Sequence, residues 1–188
     1  MEEQKITIED EEFIFNNKLT RIITIKSYPK IDVLGTTIGP FERGKEFNVI
    51  FWIGEELVKA GIARFSDDEV LTSTSLHKIH WKEIQIQTGR RISSFPEFFY
   101  PKLRNYLHQL KQKVMTDPAS SIEYDKAVRL AQDIINCRLS KIVGLSSSPA
   151  QSEIVRRKLC KEEKILYNSL YTIISEWKAK ILKLEVSK

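Results

Sequence analysis

The chain has 188 residues, of which 41% are hydrophobic and 29% charged, and its formal net charge is +5. These values are typical of a globular protein with one ordinary domain or two small ones. No apolar run approaches the ~20 residues of a membrane span, and the acidic start of the chain is unlike a basic, then apolar, signal peptide. We therefore expect a cytoplasmic protein.

Short strands dominate the first 50 residues. Five segments are rich in β-branched and aromatic residues and are separated by turn formers. They cover residues 5–8, 12–15, 21–25, 30–34 and 46–50. This spacing predicts a small β domain over residues 1–50, which is too small to bury much apolar surface by itself.

Helical periodicity replaces the strands at Phe51, where Phe51 and Trp52 open a first helix that Gly61 can end. The sequence Ser66-Asp67-Asp68-Glu69 resembles a capping box for a second helix that contains His77, His80 and Glu83. Both aromatic residues therefore lie where the β domain is expected to end.

Three more helices follow in the pattern. Pro96 opens one of them, the next extends from Ile122 to Val143, and residues 144–152 resemble a flexible loop. The last helix has apolar residues every three or four positions from Leu159 to Ile181. The fold class is thus α+β, with a small β domain at residues 1–50 and an all-α domain of about five helices at residues 51–188.

Charge is divided unevenly between the two ends of the chain. Residues 1–66 contain 9 Lys and Arg against 11 Asp and Glu, whereas residues 67–188 contain 21 against 14. An acidic front and a basic back favour two modules with different partners.

Catalytic motifs are absent from the sequence. The seven glycines form no phosphate-binding loop, and no pattern for a nucleophile elbow or a zinc protease occurs. His77 and His80 share one helix face, but catalytic zinc needs three protein ligands, so a solvated helix face is the preferred interpretation. Cys137 and Cys160 fit no metal or disulfide motif. We therefore expect a protein that is not an enzyme and has no metal site and no cofactor. Metal-assisted catalysis at His77 and His80 is kept as an alternative.

Surface contacts are the remaining functional signal. Aromatic residues are numerous, and Trp and Tyr are typical anchors of protein interfaces. A basic segment lies before the last helix and consists of Arg156, Arg157, Lys158 and Lys161. It is either the solvated start of a helix or a phosphate-binding patch. An independent DNA-binding module that uses this segment, residues 156–164, is therefore the alternative function.

An ordered set of residues from about Leu34 to Ile181 resembles a subunit of the GINS complex, of the archaeal-like type in which the β domain comes first. The matching residues are Gly39-Pro40-Phe41, Gly44, Val49, Trp52 and Leu57, then Phe95-Pro96, Tyr100, Asp133-Ile134, Arg138 and Lys141-Ile142, and finally Glu163, Leu166-Tyr167, Leu170 and Ile174.

The resemblance implies a non-catalytic scaffold in DNA replication. It implies a heterotetramer with a sister subunit, two copies of each, and contacts with the MCM helicase and a RecJ-like partner. A location at the nucleoid, or in the nucleus of a eukaryote, follows from it. In this interpretation Phe41, Phe51, Trp52 and Trp177 are junction or interface residues: Trp52 wedges the first helix against the helical domain, and Phe41 pins the β domain to it.

Overall fold

The computed structural model describes residues 7–33, 35–85, 92–147 and 156–183. It confirms the α+β fold class, since short strands near the start of the chain are followed by a mostly helical remainder. The chain divides into two compact units. The sheet unit is Glu12–Leu71, and the helical unit is Met1–Glu11 together with Thr72–Lys188. In the described ranges, no helix has the length and apolar character that crossing a membrane requires.

The sheet unit is built on a three-stranded antiparallel sheet. Its strands are β1 (Leu19–Thr24), β4 (Glu46–Ile50) and β5 (Ala63–Phe65), with β1 in the centre. A separate hairpin pairs β2 (Ile31–Val33) with β3 (Thr36–Ile38). The strands predicted at 21–25, 30–34 and 46–50 are confirmed. Alternate residues of β1 are buried, so one face of the sheet is covered.

Helix α2 (Phe51–Lys59) packs on this sheet and belongs to the sheet unit. A Cβ atom on Gly54 would lie 3.0 Å from the ring of Phe65, so the helix approaches the sheet as closely as only glycine allows. Gly61 has a φ of +66° and follows the end of the helix, as predicted. The observed units thus differ from the predicted division at residue 50, because residues 51–71 complete the sheet unit.

The first helix corrects the sequence analysis, which predicted a strand at residues 12–15. Helix α1 is Ile8–Asn16. Of the strand predicted at residues 5–8, residues 5 and 6 lie outside the described part, and Ile8 is helical. The backbone N–H of Thr7 donates to Asp10 Oδ2 at 2.7 Å, and the N–H of Asp10 donates to Thr7 Oγ1 at 3.2 Å. This reciprocal cap and an acidic first turn stabilise a helix start and outweigh the β propensity of the aromatic residues.

The predicted capping box at Ser66–Glu69 is also wrong. Those residues form a turn in which the N–H of Glu69 donates to the carbonyl of Ser66 at 2.9 Å. Glu69 instead pairs with Lys18 at 2.6 Å. Helix α3 (Ser73–Gln85) is capped by Thr72, whose hydroxyl accepts from the N–H of Ser75 at 3.2 Å. In the sequence, Glu69 stands where a capping box needs a carboxylate. In the structure, its side chain forms an ion pair within the sheet unit instead.

Three long helices complete the helical unit: α4 (Phe99–Thr116), α5 (Ser121–Ser146) and α6 (Lys161–Leu182). A short 3₁₀ helix at Pro118–Ser120 marks the predicted break before α5. Helix α4 begins three residues later than predicted, with Pro101 in its first turn, where a missing N–H is harmless. The predicted loop at 144–152 begins within the last turn of α5 and otherwise lies largely outside the described residues.

Candidate protein–protein interface

A buried pair of opposite charges joins α5 to the first turn of α6. Arg138 Nε donates to Glu163 Oε1 at 2.7 Å, and Arg138 Nη2 donates to Glu163 Oε2 at 2.6 Å. Both side chains are at least 97% buried. The two parallel hydrogen bonds are the bidentate geometry that makes an arginine–carboxylate pair strong and directional. The pair therefore fixes where α6 begins relative to α5.

A second buried pair extends this network to α3. Lys141 Nζ donates to Glu83 Oε1 at 2.6 Å, while Arg138 Nη1 lies 3.4 Å from Glu83 Oε2. Ser93 Oγ also donates to Glu83, and the Ser93 carbonyl accepts from Arg138 Nη1 at 2.8 Å. We call Glu83, Arg138, Lys141 and Glu163 the buried charge network. Its two positive and two negative charges cancel, which is the condition under which charges can be buried.

Neighbouring groups complete the hydrogen bonds of Glu163. The hydroxyl of Tyr100 donates to Glu163 Oε1 at 2.8 Å, and the N–H of Cys160 donates to Oε2 at 2.9 Å. Burial, followed by the charge of Glu163, raises the pKa of Tyr100, so its hydroxyl keeps its proton as a donor. Burial also raises the pKa of Cys160 to about 12, which keeps this thiol protonated and unreactive at neutral pH.

Beyond the buried charge network, only part of α6 packs against the rest of the helical unit. Tyr167 lies in an apolar cluster with Ile142, Leu145 and Leu159. From Ser175 to Lys183, however, every residue except Ala179 is exposed. Yet this end contains Trp177, Ile181 and Leu182, each between 61 and 63% exposed. The end of α6 therefore presents large apolar side chains that the described part of the chain leaves uncovered.

Helix α5 presents a second apolar stripe beside α6. Ile135, Leu139 and Val143 follow one another at four-residue intervals and are each 42 or 43% exposed. Ile135 and Leu139 line a groove of about 280 Å³ together with Leu166 of α6, and four of the ten lining residues are Arg or Glu. We define the α5–α6 apolar surface as six exposed apolar residues on these two helices. Its members are Ile135, Leu139, Val143, Leu166, Ile173 and Trp177.

This surface has the character of a protein interface. Monomeric proteins rarely leave large apolar patches open to water, and a helix that is apolar on more than one side is normally buried on more than one side. Single exposed apolar residues would need no explanation. Here two neighbouring helices contribute rows of them, which indicates that another protein covers both helices.

The remaining predicted interface residues lie in the sheet unit. The Phe51 ring is buried and stacks on Phe65 with centroids 5.0 Å apart. The ring of Phe41 is also buried and meets Phe47 edge-on at 5.0 Å. Trp52 is half-buried. Phe41 and Phe51 thus belong to the core of the sheet unit itself, and the proposed role of Trp52 toward the helical domain stays a prediction.

The structure separates the members of the basic segment. Arg156, Arg157 and Lys158 are exposed before α6 begins. Lys161 pairs with Glu11 at 3.1 Å and lies 5.9 Å from the centre of the Phe98 ring. Part of the segment's positive charge is therefore already neutralised within the helical unit.

The two histidines on α3 have contacts of another kind. His77 Nδ1 lies 2.8 Å from the carbonyl of Ser73, and His80 Nε2 lies 3.4 Å from Asp133 Oδ2. Residues 7–33, 35–85, 92–147 and 156–183 contain no group of three or more His, Cys, Asp or Glu side chains placed to hold a metal ion. His77 and His80 thus take part in local contacts rather than in a common site.

Sequence reasoning missed the exposed stripe on α5. The apolar pattern between Ile122 and Val143 predicts one packing face, and four of its five residues are buried, Leu130 being the exception. The residues are Ala127, Leu130, Ala131, Ile134 and Ile142. The sequence does contain a second apolar stripe beside the first, at Ile135 and Leu139. A helix that packs on one side needs only one such stripe, so the second indicates a second packing partner.

Comparison with known proteins gives a match to a family. The family model described as Sld5, the GINS complex protein helical bundle domain, matches residues 62–182. A search of curated proteins finds no relative. The matched segment includes α3, α4, α5 and α6, and it therefore contains both the buried charge network and the α5–α6 apolar surface.

Proposed function

The chain belongs to the family of GINS complex proteins, and we propose that it is a non-catalytic scaffold subunit that links an MCM helicase to a RecJ-like partner in chromosomal DNA replication. Membership makes it a subunit that assembles with other GINS subunits. The proposal adds the two outer partners, the location at the nucleoid or nucleus, and a tetramer with two copies each of this chain and a sister subunit.

The observation that supports a scaffold is the uncovered end of α6. Most helical stability in proteins comes from packing an apolar face against other elements. Trp177 and Ile181 lie on a segment whose residues are nearly all exposed. A sister subunit that covers the α5–α6 apolar surface would supply the missing packing. We expect an interface of the obligate kind, which buries more than about 2,000 Å² in total.

The sheet unit is proposed as the arm that reaches the outer partners. It is a compact unit with a core of its own, in which Phe51 stacks on Phe65. We propose that Trp52 holds this unit at a set angle to the helical unit, whereas Phe41 stabilises the sheet unit from within its core. A fixed angle would matter to a scaffold because it determines where the bound partners lie.

A shortened chain tests this division of labour. A variant that begins at Thr72 keeps the cap of α3 and the whole α5–α6 apolar surface. It is expected to associate with its sister subunit as the full chain does, while binding of MCM or the RecJ-like partner falls by at least tenfold. Affinity capture of the co-expressed pair, with quantitative mass spectrometry of the recovered partners, measures both.

The control addresses an ion pair that the cut removes. Deleting the first 71 residues also removes Glu11, the partner of Lys161, so full-length Lys161→Ala shows the effect of losing that pair alone. If the shortened chain stays helical but no longer binds its sister subunit, while Lys161→Ala still binds it, the part of the chain before Thr72 belongs to the assembly core and the proposed arm is wrong.

A further inference from the structure

Helix α1 presents a large aromatic side chain to solvent. Phe13 is 69% exposed, although phenylalanine is among the residues most often buried. An α-helix turns by about 100° per residue, so Phe13 points away from Glu11 and Phe15, which lie two positions to either side of it and are both 1% exposed. Phe13 therefore occupies the centre of the solvent side of α1, opposite the residues that pack inward.

The helix that displays Phe13 is held at both ends and on its inner side. Its first turn carries the reciprocal cap described above. At its end, the side-chain amide of Asn17 donates to the Phe13 carbonyl at 2.9 Å, and the backbone N–H of Asn17 donates to the same carbonyl at 3.1 Å. Phe15 packs in the core of the sheet unit. The position of Phe13 is thus set before any partner binds, which lowers the entropy cost of binding through this ring.

Negative charge surrounds the exposed ring. Helix α1 contains four carboxylates and no basic residue, and three of the carboxylates are exposed, namely Glu9, Asp10 and Glu12. Glu9 and Asp10 lie four and three residues before Phe13, the spacing that places side chains on one face of a helix. Lys18, the first basic residue after α1, pairs with Glu69 at 2.6 Å. We define the outer face of α1 as Glu9, Asp10 and Phe13.

The charge and shape of this face indicate the chemistry of its partner. A face rich in carboxylates repels the phosphates of a nucleic acid and the negative surface of a membrane, and it attracts Lys and Arg side chains. The ring needs an apolar pocket, because an aromatic side chain buries about 150–250 Å² when it is covered. A protein segment with an apolar pocket between basic side chains meets both requirements.

We propose that the outer face of α1 docks a basic segment of an outer partner, with Phe13 inserted in an apolar pocket and with Lys or Arg side chains paired with Glu9 and Asp10. A helix that places an apolar anchor in a groove of its partner is a common mode of protein recognition. This inference rests on the proposed function, since it takes the partner to be one of the proteins that the sheet unit reaches. It adds the surface that is used and the charge of the segment that is bound.

Binding of purified MCM and of the purified RecJ-like protein to the complex of this chain with its sister subunit tests the proposal. Each affinity is measured by biolayer interferometry over a salt series. Phe13→Ser is expected to weaken binding of one of the two proteins about 30-fold or more, as for an aromatic residue at the centre of an interface. Phe13→Leu, which keeps an apolar side chain, should weaken it less. Glu9→Lys should weaken it most at low salt, because salt screens exposed charges.

An apolar residue of similar exposure supplies the matched control. Met115 is 71% exposed near the end of α4, and Met115→Ser is expected to leave both affinities unchanged. Because Phe13 is exposed, its variants should keep their fold, and circular dichroism checks this; Phe13→Leu and Glu9→Lys provide the test if Phe13→Ser does not fold. Equal affinity for Phe13→Ser would overturn the proposal, as would an effect of Glu9→Lys that is as large at high salt as at low salt.

A photo-crosslinking analogue of phenylalanine at position 13 separates failure of this inference from failure of the proposed function. If the unmodified complex binds neither MCM nor the RecJ-like protein, the proposed partners are wrong, and a crosslink formed in an extract of the source organism still tests the docking surface. Mass spectrometry of the adduct is expected to identify a segment rich in Lys and Arg in a protein other than the two subunits. An adduct with the sister subunit, with nucleic acid or with a segment that lacks basic residues would contradict the inference, and so would the absence of an adduct.

Discussion

Arg138→Ala is expected to lower the free energy of unfolding of the helical unit by about 3–5 kcal/mol, the usual cost of removing one partner from a buried ion pair. Arg138 donates three short hydrogen bonds to Glu163 and the carbonyl of Ser93, at 2.6 to 2.8 Å. Burial lowers the pKa of Arg138, but its hydrogen bonds to Glu163 and the charges of Glu163 and Glu83 outweigh this and raise it. Alanine would leave a buried negative charge without compensation.

A double-mutant cycle separates this cost from the value of the pair. Arg138→Met with Glu163→Met leaves the Glu83–Lys141 pair balanced, so the double variant should cost much less than the sum of the two single variants. Guanidinium unfolding followed by circular dichroism at the helical band reports the transition of the helical unit. If the single variants cost under about 1 kcal/mol and are additive, then the network does not hold α6 in place.

Phe51→Ala is expected to destabilise the sheet unit by about 3–5 kcal/mol, the range for deleting a buried phenylalanine ring. The Phe51 ring stacks on Phe65 and lies 4.4 Å from the centre of the Phe15 ring. It therefore joins β5, α1 and α2 in one cluster. Alanine would leave a cavity that these elements cannot close without moving.

The neighbouring residue provides the control for this prediction. Trp52 is half-buried, so Trp52→Ala should cost less than Phe51→Ala. In a background with Trp81→Phe and Trp177→Phe, the fluorescence of Trp52 reports unfolding of the sheet unit alone. For the Trp52→Ala variant, which lacks this probe, near-ultraviolet circular dichroism measures unfolding instead. A larger loss for Trp52→Ala would mean that Trp52, rather than Phe51, contributes most to the stability of the sheet unit.

Long periodic segments were predictable because burial of one helix face leaves a repeated pattern. The helices α5 and α6 and the strands β1 and β4 follow from such patterns. Helix α1 did not, because a reciprocal cap between Thr7 and Asp10 outweighs the strand propensity of its aromatic residues. The start of α3 was also predicted in the wrong place. Ser66–Glu69 has the sequence of a capping box, but Asp68 and Glu69 form ion pairs with residues of the sheet unit instead.

The candidate interface was predictable only in part. An exposed Trp177 fits the expected interface residue, but a sequence does not distinguish an apolar stripe that packs inside a bundle from one that another chain covers. The buried charge network could not be predicted from the sequence either. Glu83, Arg138 and Glu163 are far apart in sequence and resemble ordinary surface charges until the fold brings them together.

The mass of the complex with a co-expressed sister subunit tests the central claim most directly. One chain weighs 21.9 kDa, and light scattering after size exclusion should give the mass of four chains for the unmodified protein. Leu139→Asp with Trp177→Asp places two charges in the α5–α6 apolar surface, and it should release this chain from the complex. The control Ile122→Asp changes an apolar residue at the start of α5 that is 66% exposed and lies outside the α5–α6 apolar surface, and it should keep the full mass. The account is contradicted if the double variant keeps the mass of the unmodified complex, or if the unmodified chain elutes alone.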